Sequence, residues 1–297
     1  MIKFLNNQTT FNIGRVKFGG QPGKRRVVLI GSIFYPRHSI VLDRINGIVK
    51  PGSVEMLLEQ SERASLETGC PYAIMIYGET KKAIRNYLEI ISDLFSGPIF
   101  IDSPSAEVRI AGINWAKEAG IEDRIVYNTI NAGIKPEEWE ALENNNIQNA
   151  VILAFNPGDL QSKGKIYLLE NGSNFLPEGL IELAKKHGIT RPLLDMAVMS
   201  YEQGAGHSIR AIMIAKAKWG FPTGCAIHNA VESYPLLTKI KNEDKKIFNF
   251  VDVAATVIPI MTGADFLIYG PIEYARRMMY AATFADALLE QSASEIW

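Results

Sequence analysis

Asp102, Asn128, Asp195 and Asn229 each close a short apolar run: Ile99-Phe100-Ile101-Asp102, Ile125-Val126-Tyr127-Asn128, Pro192-Leu193-Leu194-Asp195 and Ala226-Ile227-His228-Asn229. Short apolar runs bounded by turn residues read as strands buried on both faces. If such strands are parallel and close into a barrel, their carboxyl ends share one mouth, where that fold keeps its chemistry. Two carboxylates and two carboxamides there would form a site of fixed hydrogen-bond acceptors and donors. The set suits a flat polar heterocycle. A pterin offers N3–H and 2-amino donors side by side to a carboxylate, and its oxo group and ring nitrogens suit carboxamides. Each residue also has a plainer reading, because Asp or Asn after a strand commonly caps a helix or makes a turn.

Other residue types narrow the chemistry. No lysine or arginine closes a strand, which disfavours a Schiff-base aldolase and leaves a pyrophosphate leaving group unattended. Cys70 and Cys225 lie far apart and do not together suggest a thiolate zinc site; Cys225 reads as a small core residue. Among the histidines, His38 and His187 fall in loop or helix-end contexts, and no helical pair with metal spacing occurs, so no metal site is expected. His228 ends an apolar run and is either a ligand or acid–base group or a satisfied structural residue. The Gly204-Ala205-Gly206 turn before His207 and Ser208 offers backbone N–H groups to an anion, a weak signal alone.

The elements that would position these residues follow from periodicity. Apolar runs at 27–30, 72–77, 98–101, 125–127, 150–155, 193–194, 224–227 and 266–269 read as strands. Helical stretches at 54–67, 81–94, 105–119, 136–144, 178–187, 208–219, 247–261 and 274–289 alternate with them. This order predicts an α/β fold, a (β/α)8 TIM barrel in one domain over 1–297, with residues 1–24 as a short N-terminal β-hairpin extension. A doubly wound sheet is the runner-up, but Gly31-Ser32-Ile33-Phe34-Tyr35 lacks the G-x-G-x-x-G dinucleotide turn. The barrel would line its mouth with Gly31-Ser32, Gly78-Glu79, Asp102-Ser103, Asn128, Asn156, Asp195, His228-Asn229 and Gly270.

A formal net charge of −1 gives no electrostatic footprint for nucleic acid or an anionic membrane. The start turns polar within a few residues and reads as no secretory leader, and the apolar stretch 251–260 is too short to span a bilayer and carries Asp252. Two cysteines make no disulfide framework, so a reduced, cytoplasmic protein is expected.

Longer strings are more specific. Val28-Leu29-Ile30-Gly31-Ser32-Ile33-Phe34-Tyr35, Ile101-Asp102-Ser103, Tyr127-Asn128-Thr129-Ile130-Asn131-Ala132, Leu153-Ala154-Phe155-Asn156-Pro157 and Gly204-Ala205-Gly206 form one set. Lys216-Ala217-Lys218-Trp219-Gly220-Phe221-Pro222-Thr223-Gly224, running into Ile227-His228-Asn229, extends it. Together they closely resemble the H-subunit family of tetrahydromethanopterin S-methyltransferase from about residue 10 to the C-terminal helix. Within it, the chain looks most like bacterial stand-alone members resembling the methyltransferase of glycine betaine demethylation. The strand ends also resemble, more distantly, methyltetrahydrofolate:corrinoid-protein methyltransferases and dihydropteroate synthase.

The resemblance implies a methyltransferase moving a methyl group between a methyl-Co(III) corrinoid protein and N5 of tetrahydrofolate, with cobalamin supplied on the partner. It places Asp102, Asn128, Asp195 and Asn229 at pterin-binding positions, with Asn229 reaching N5 and Asp195 beside it in the catalytic step. A homodimer is also implied. Two other expectations stand beside this one: tetrahydromethanopterin as the acceptor within a multi-subunit complex, and a non-catalytic subunit of such a complex. The loops after Phe155 and Met199, the latter with Glu202, are expected to shape the docking surface for the corrinoid protein.

Overall fold

In chain order, the hairpin strands β1 (Thr10–Ile13) and β2 (Val16–Gly19) lead into β3 (Val28–Ile33), the small antiparallel pair β4 (Val41–Asp43) and β5 (Ile48–Val49), and helix α1 (Ser53–Thr68). There follow β6 (Tyr72–Tyr77), α2 (Lys81–Leu94), β7 (Ile99–Asp102), α3 (Ala106–Glu118), β8 (Ile125–Ile130), α4 (Pro136–Asn144) and β9 (Asn149–Leu153). Next come α5 (Ser162–Asn171), α6 (Leu180–Lys186), β10 (Arg191–Asp195), α7 (Ala205–Trp219) and β11 (Thr223–Cys225). The chain finishes with α8 (His228–Ser233), α9 (Pro235–Glu243), α10 (Lys245–Met261), β12 (Phe266–Pro271) and α11 (Ala275–Ala293). The structure, a computed structural model, describes residues 3–173 and 176–295.

Eight parallel strands close in the order β3-β6-β7-β8-β9-β10-β11-β12, a TIM barrel with flanking helices and a short antiparallel hairpin at its N-terminal end. Alternation along each strand makes two cores. Val28, Ile30, Ala73, Met75, Phe100, Val126, Val151, Leu193 and Phe266 fill the lumen. Their neighbours, such as Leu29, Ile74, Ile76, Ile99, Ile101 and Leu194, pack outward against the helices. Successive strand residues face opposite sides, so the lumen must be lined at every second position.

The hairpin plugs the barrel floor. Ile13 and Phe18 belong to the lumen cluster, and the Phe18 ring lies 6.3 Å from that of Phe100 and 6.5 Å from that of Phe266. Lys216 of α7 pins it there: Nζ, fully buried, donates to the Gly20 carbonyl at 2.9 Å and to the Asp265 carboxylate at 2.8 Å. Asp265 also accepts the Thr223 N–H at 2.8 Å, so the buried Lys216 and Asp265 charges are paired and hydrogen-bonded.

Helix α2 shows how locally the helices are specified. Thr80 caps it by accepting the Ala83 N–H at 3.0 Å, and Ala83, Ile84, Tyr87, Leu88 and Ile91 repeat on one buried face. The expected helices and strands are present, with two differences that matter for function. Helices α5, α8 and α9 and the β4–β5 pair are additions. The run expected to end on Asn229 stops as a strand at Cys225, and the chain turns into α8 through Asn229 N–H to Ala226 C=O at 3.0 Å and Ala230 N–H to Ile227 C=O at 3.0 Å. A helix is what lets His228 meet Glu232 four residues on, at 3.3 Å. Among the described residues no helix is long and apolar enough to cross a membrane.

Removing the plug ring should be costly. Phe18→Ala is expected to lower the unfolding free energy by about 3–5 kcal/mol, the usual range for an emptied aromatic core site, measured by urea denaturation.

Candidate functional site at the barrel mouth

Asp102, Asn128 and Asp195 each stand two residues beyond a lumen residue, namely Phe100, Val126 and Leu193. They therefore form the next layer up, facing the mouth over an apolar floor. Asp102 and Asn128 are register partners on β7 and β8, and Asn128 Nδ2 donates to Asp102 Oδ1 at 3.0 Å. They line an open depression of about 460 Å³ that continues over Ser103, Ser105, Asn131 and Lys135. Burial pushes the Asp102 carboxyl up to about 6, against the opposing pull of Asn128 and the Arg109 charge.

Arg109 reaches this depression from α3 and is itself buried. Its Nε donates to the Tyr127 hydroxyl at 3.0 Å, and its guanidinium also pairs with Glu138 and with the Ser103 carbonyl. Tyr127 donates to Glu138 as well, which accepts the Lys135 N–H at 3.1 Å through its other oxygen. The arginine is locked before any ligand arrives and acts on Asp102 through its charge.

Asp195 and Asn229 make a second pair, joined through backbone. Asp195, 5% exposed, accepts the Ala197 N–H at Oδ1 over 2.7 Å, and Asn229 Nδ2 donates to the Val198 carbonyl at 2.9 Å. Asn229 lies exposed in the first turn of α8, not at a strand end. Burial also raises the Asp195 carboxyl to about 6, opposed by the Ala197 N–H and by Lys165. Lys165 comes from α5, is fully buried, and donates Nζ to the Ala197 carbonyl at 3.2 Å. Desolvation lowers its pKa and the Asp195 charge opposes that shift.

The two pairs do not touch each other. Between β8 and β10 runs β9, and Leu153, level with Asp195 in the register, follows lumen residue Val151 on the same face. The mouth thus has two polar edges with an apolar residue between them. Asn156, expected to line it, is committed elsewhere: Nδ2 donates to Gly164 C=O at 3.0 Å and Oδ1 accepts the Gly158 N–H at 3.0 Å. Glu79 is paired with Arg44 at 3.3 Å, and Glu202 lies exposed.

His228 takes the structural alternative. Its Nδ1 faces Asp252 at 2.8 Å and its Nε2 faces Glu232 at 3.3 Å; Arg277 reaches the other Asp252 oxygen at 2.9 Å, and Lys241 pairs with Glu232. Gly270 is required behind it, since a Cβ there would stand 2.5 Å from the imidazole Cδ2. Burial pushes the His228 pKa down, but the hydrogen bonds and charges of Asp252 and Glu232 outweigh it and raise it to about 9.

Arg109 and Lys165 were not foreseen as site residues. Both sit on buried helical stripes, Arg109 with Gly112, Ile113 and Ala116, Lys165 with Leu168 and Leu169. A basic residue in an apolar stripe is the signal that marks them.

Residues 6–297 match the family model described as "Tetrahydromethanopterin S-methyltransferase MtrH subunit". Over 296 residues, all of this chain and 96% of the relative, the sequence is 40% identical to the H subunit of tetrahydromethanopterin S-methyltransferase from Methanothermobacter marburgensis. It is 38% identical, with the same coverage, to the H subunit of the putative methyltransferase mtx from Methanosarcina barkeri. Dihydropteroate synthase of Yersinia pestis, with a sulfonamide drug, superposes with a TM-score of 0.62 at 14% identity over 96% of this chain and 100% of that one. The enzyme from Vibrio fischeri gives 0.62 at 17% identity, covering 95% and 98%. These two superpositions show a shared fold.

The His228 cluster has a pH signature. A folded pKa of about 9 above an unfolded value near 6.5 contributes stability that is complete below 6.5 and is lost as pH rises through 9. The melting temperature is expected to fall between pH 7 and 9, and His228→Gln should flatten that limb in calorimetry.

Proposed function

The chain belongs to the H-subunit family of tetrahydromethanopterin S-methyltransferase, and from that premise we propose that it binds a reduced pterin across the barrel mouth and exchanges a methyl group between pterin N5 and a corrinoid carried by a partner protein. The observation that carries this reading is the pair of polar edges, Asp102–Asn128 and Asp195–Asn229, set on either side of Leu153 above a filled lumen. A flat ring laid over Leu153 keeps one face on apolar surface and its edges on acceptors. The carboxylates are suited to the pyrimidine N–H groups, and a ring that lacks them leaves two desolvated acids unpaired, which is how the site would select.

The corrinoid supplies the cobalt that carries the methyl group, so no residue of this chain need be methylated. What the chain contributes is orientation and hydrogen bonding at N5. With Nδ2 committed to Val198, Asn229 has Oδ1 to offer, an acceptor for a proton held on N5. A protonated N5-methyl amine can release its methyl group while the N–C electron pair and the proton stay on nitrogen, and the N5–H so formed still donates to Oδ1. The contact serves both directions.

Tetrahydrofolate was the sequence-based expectation for the pterin. The relatives are named for tetrahydromethanopterin, which supports that acceptor and a role beside other subunits. Both share the pterin end, so direct titration separates them. The same reading includes a homodimer, and α10 offers an outward apolar stripe for one, with Phe250 73% exposed and Ile247 and Ile258 also exposed.

Isothermal titration is expected to show tighter binding of tetrahydromethanopterin than of tetrahydrofolate, and the reverse order would restore the folate reading. The double variant Asp102→Ala with Asp195→Ala should bind neither; undiminished affinity would remove these residues from the site. Asn229→Ala should slow methyl transfer from a methyl-corrinoid protein by roughly 10–100-fold, the worth of one strong hydrogen bond. No turnover by the isolated wild-type chain with that protein would favour the non-catalytic role. Because Asp102 and Asp195 titrate near 6, pterin affinity should weaken as pH falls through that value.

A further inference from the structure

The segment Met196-Ala197-Val198 links Asp195, Asn229 and β11 on one side of the mouth. Met196 N–H is fixed to Gly224 C=O at 2.9 Å on the neighbouring strand. Ala197 N–H holds Asp195 Oδ1 at 2.7 Å, and Val198 C=O holds Asn229 Nδ2 at 2.9 Å. The peptide between them adopts a left-handed turn at Ala197, φ 52°, a conformation an alanine keeps only when its surroundings impose it. Two side chains grip it from behind through one atom: the Ala197 carbonyl accepts Lys165 Nζ at 3.2 Å and Ser208 Oγ at 3.1 Å. Lys165 and Ser208 are fully buried on α5 and α7, helices tied to one another by Ser162 Oγ to His207 C=O at 2.8 Å.

We propose that Lys165 is the positioning residue of the pterin site, holding the Ala197 turn so that Asp195 and Asn229 are aimed together and lending its charge to keep Asp195 ionised. The inference rests on the pterin reading above and adds a specific residue to it. An ammonium is a costly choice for a dry position whose single hydrogen-bonded protein partner among the described residues is a backbone carbonyl. A serine already serves that carbonyl. The cation is explained by the carboxylate two residues back along the strap. The titratable groups facing Asp195 are Lys165 from α5 and, from β11, the Cys225 thiol, which burial and Asp195 itself keep protonated. Lys165 is therefore its sole counter-charge among them.

Two roles predict two separable effects. Lys165→Met removes both grip and charge. It is expected to weaken tetrahydromethanopterin binding roughly ten-fold or more and to move the acid limb of the affinity–pH profile to higher pH. Ser208→Ala loosens the grip alone and should weaken binding by roughly three-fold with that limb unmoved. A folded Lys165→Met variant with unchanged affinity, or one whose affinity falls while the acid limb stays in place, overturns the proposal; the second result marks a lysine that only fills space. If Lys165→Met does not fold, Ser208→Ala decides: unchanged affinity there overturns the strap. Asp195→Asn separates the levels. Full affinity in that variant sinks the pterin site itself, whereas lost affinity beside an unaffected Lys165→Met sinks the role of Lys165 alone.

Discussion

Two-residue alternation along closed parallel strands is the constraint on which the mouth depends. It puts Asp102, Asn128 and Asp195 one pleat above Phe100, Val126 and Leu193, with no freedom to choose otherwise. The layer below is closed from beneath by Ile13 and Phe18 of the hairpin, so the polar layer rests on packed hydrocarbon. That arrangement raises both acids toward 6, because a carboxylate over a filled lumen has few waters to lean on.

Each acid has its own cation, and both cations come from helices. Arg109 is tied into Tyr127 and Glu138 and Lys165 into the Ala197 turn, so neither is free to collapse onto the carboxylate it influences. A direct ion pair would satisfy each acid fully and leave nothing for a ligand to complete. Charge at a distance keeps the acid ionisable while its outer oxygen remains available. This division between holding and presenting is what a site without its own nucleophile has to achieve.

The barrel was legible in the chain because its strands are short apolar runs with turn residues at both ends, and its helices have strong one-sided periodicity, as in α2. Asp102 and Asp195 end β7 and β10 as expected, and Asn128 lies on β8, which runs on to Ile130 rather than stopping there, so three of the four were legible as strand residues for the same reason. Asn229 was the exception: Ala226-Ile227 continues the apolar run of β11, and only the pairing of His228 with Glu232 and Asp252, one of them remote, shows that the chain has turned helical. Helix α5 was missed because Ser162 and Gly164, both poor helix formers, open it beside a buried charge, and Lys165 went unseen with it. Contacts that cross the chain, such as Asn229 to Val198, are set by tertiary packing and leave no mark on local pattern.

His228 and Asn229 are neighbours in opposite surroundings, the histidine enclosed by charged groups and the carboxamide exposed. A histidine between two carboxylates, raised to about 9, holds its proton through neutral pH with both ring nitrogens engaged. What it does is fix the first turn of α8 against α10, since Asp252 and the Arg277 beside it belong to α10 and α11. Asn229 follows in that turn, so its backbone is placed by the ion cluster and its side chain by Val198. A carboxamide needs such double support. It carries no charge to be drawn into place, and a rotation about its last bond would exchange an acceptor for a donor. With the nitrogen bound to a carbonyl next to the turn that a buried lysine holds, the oxygen is the atom left to meet a ligand.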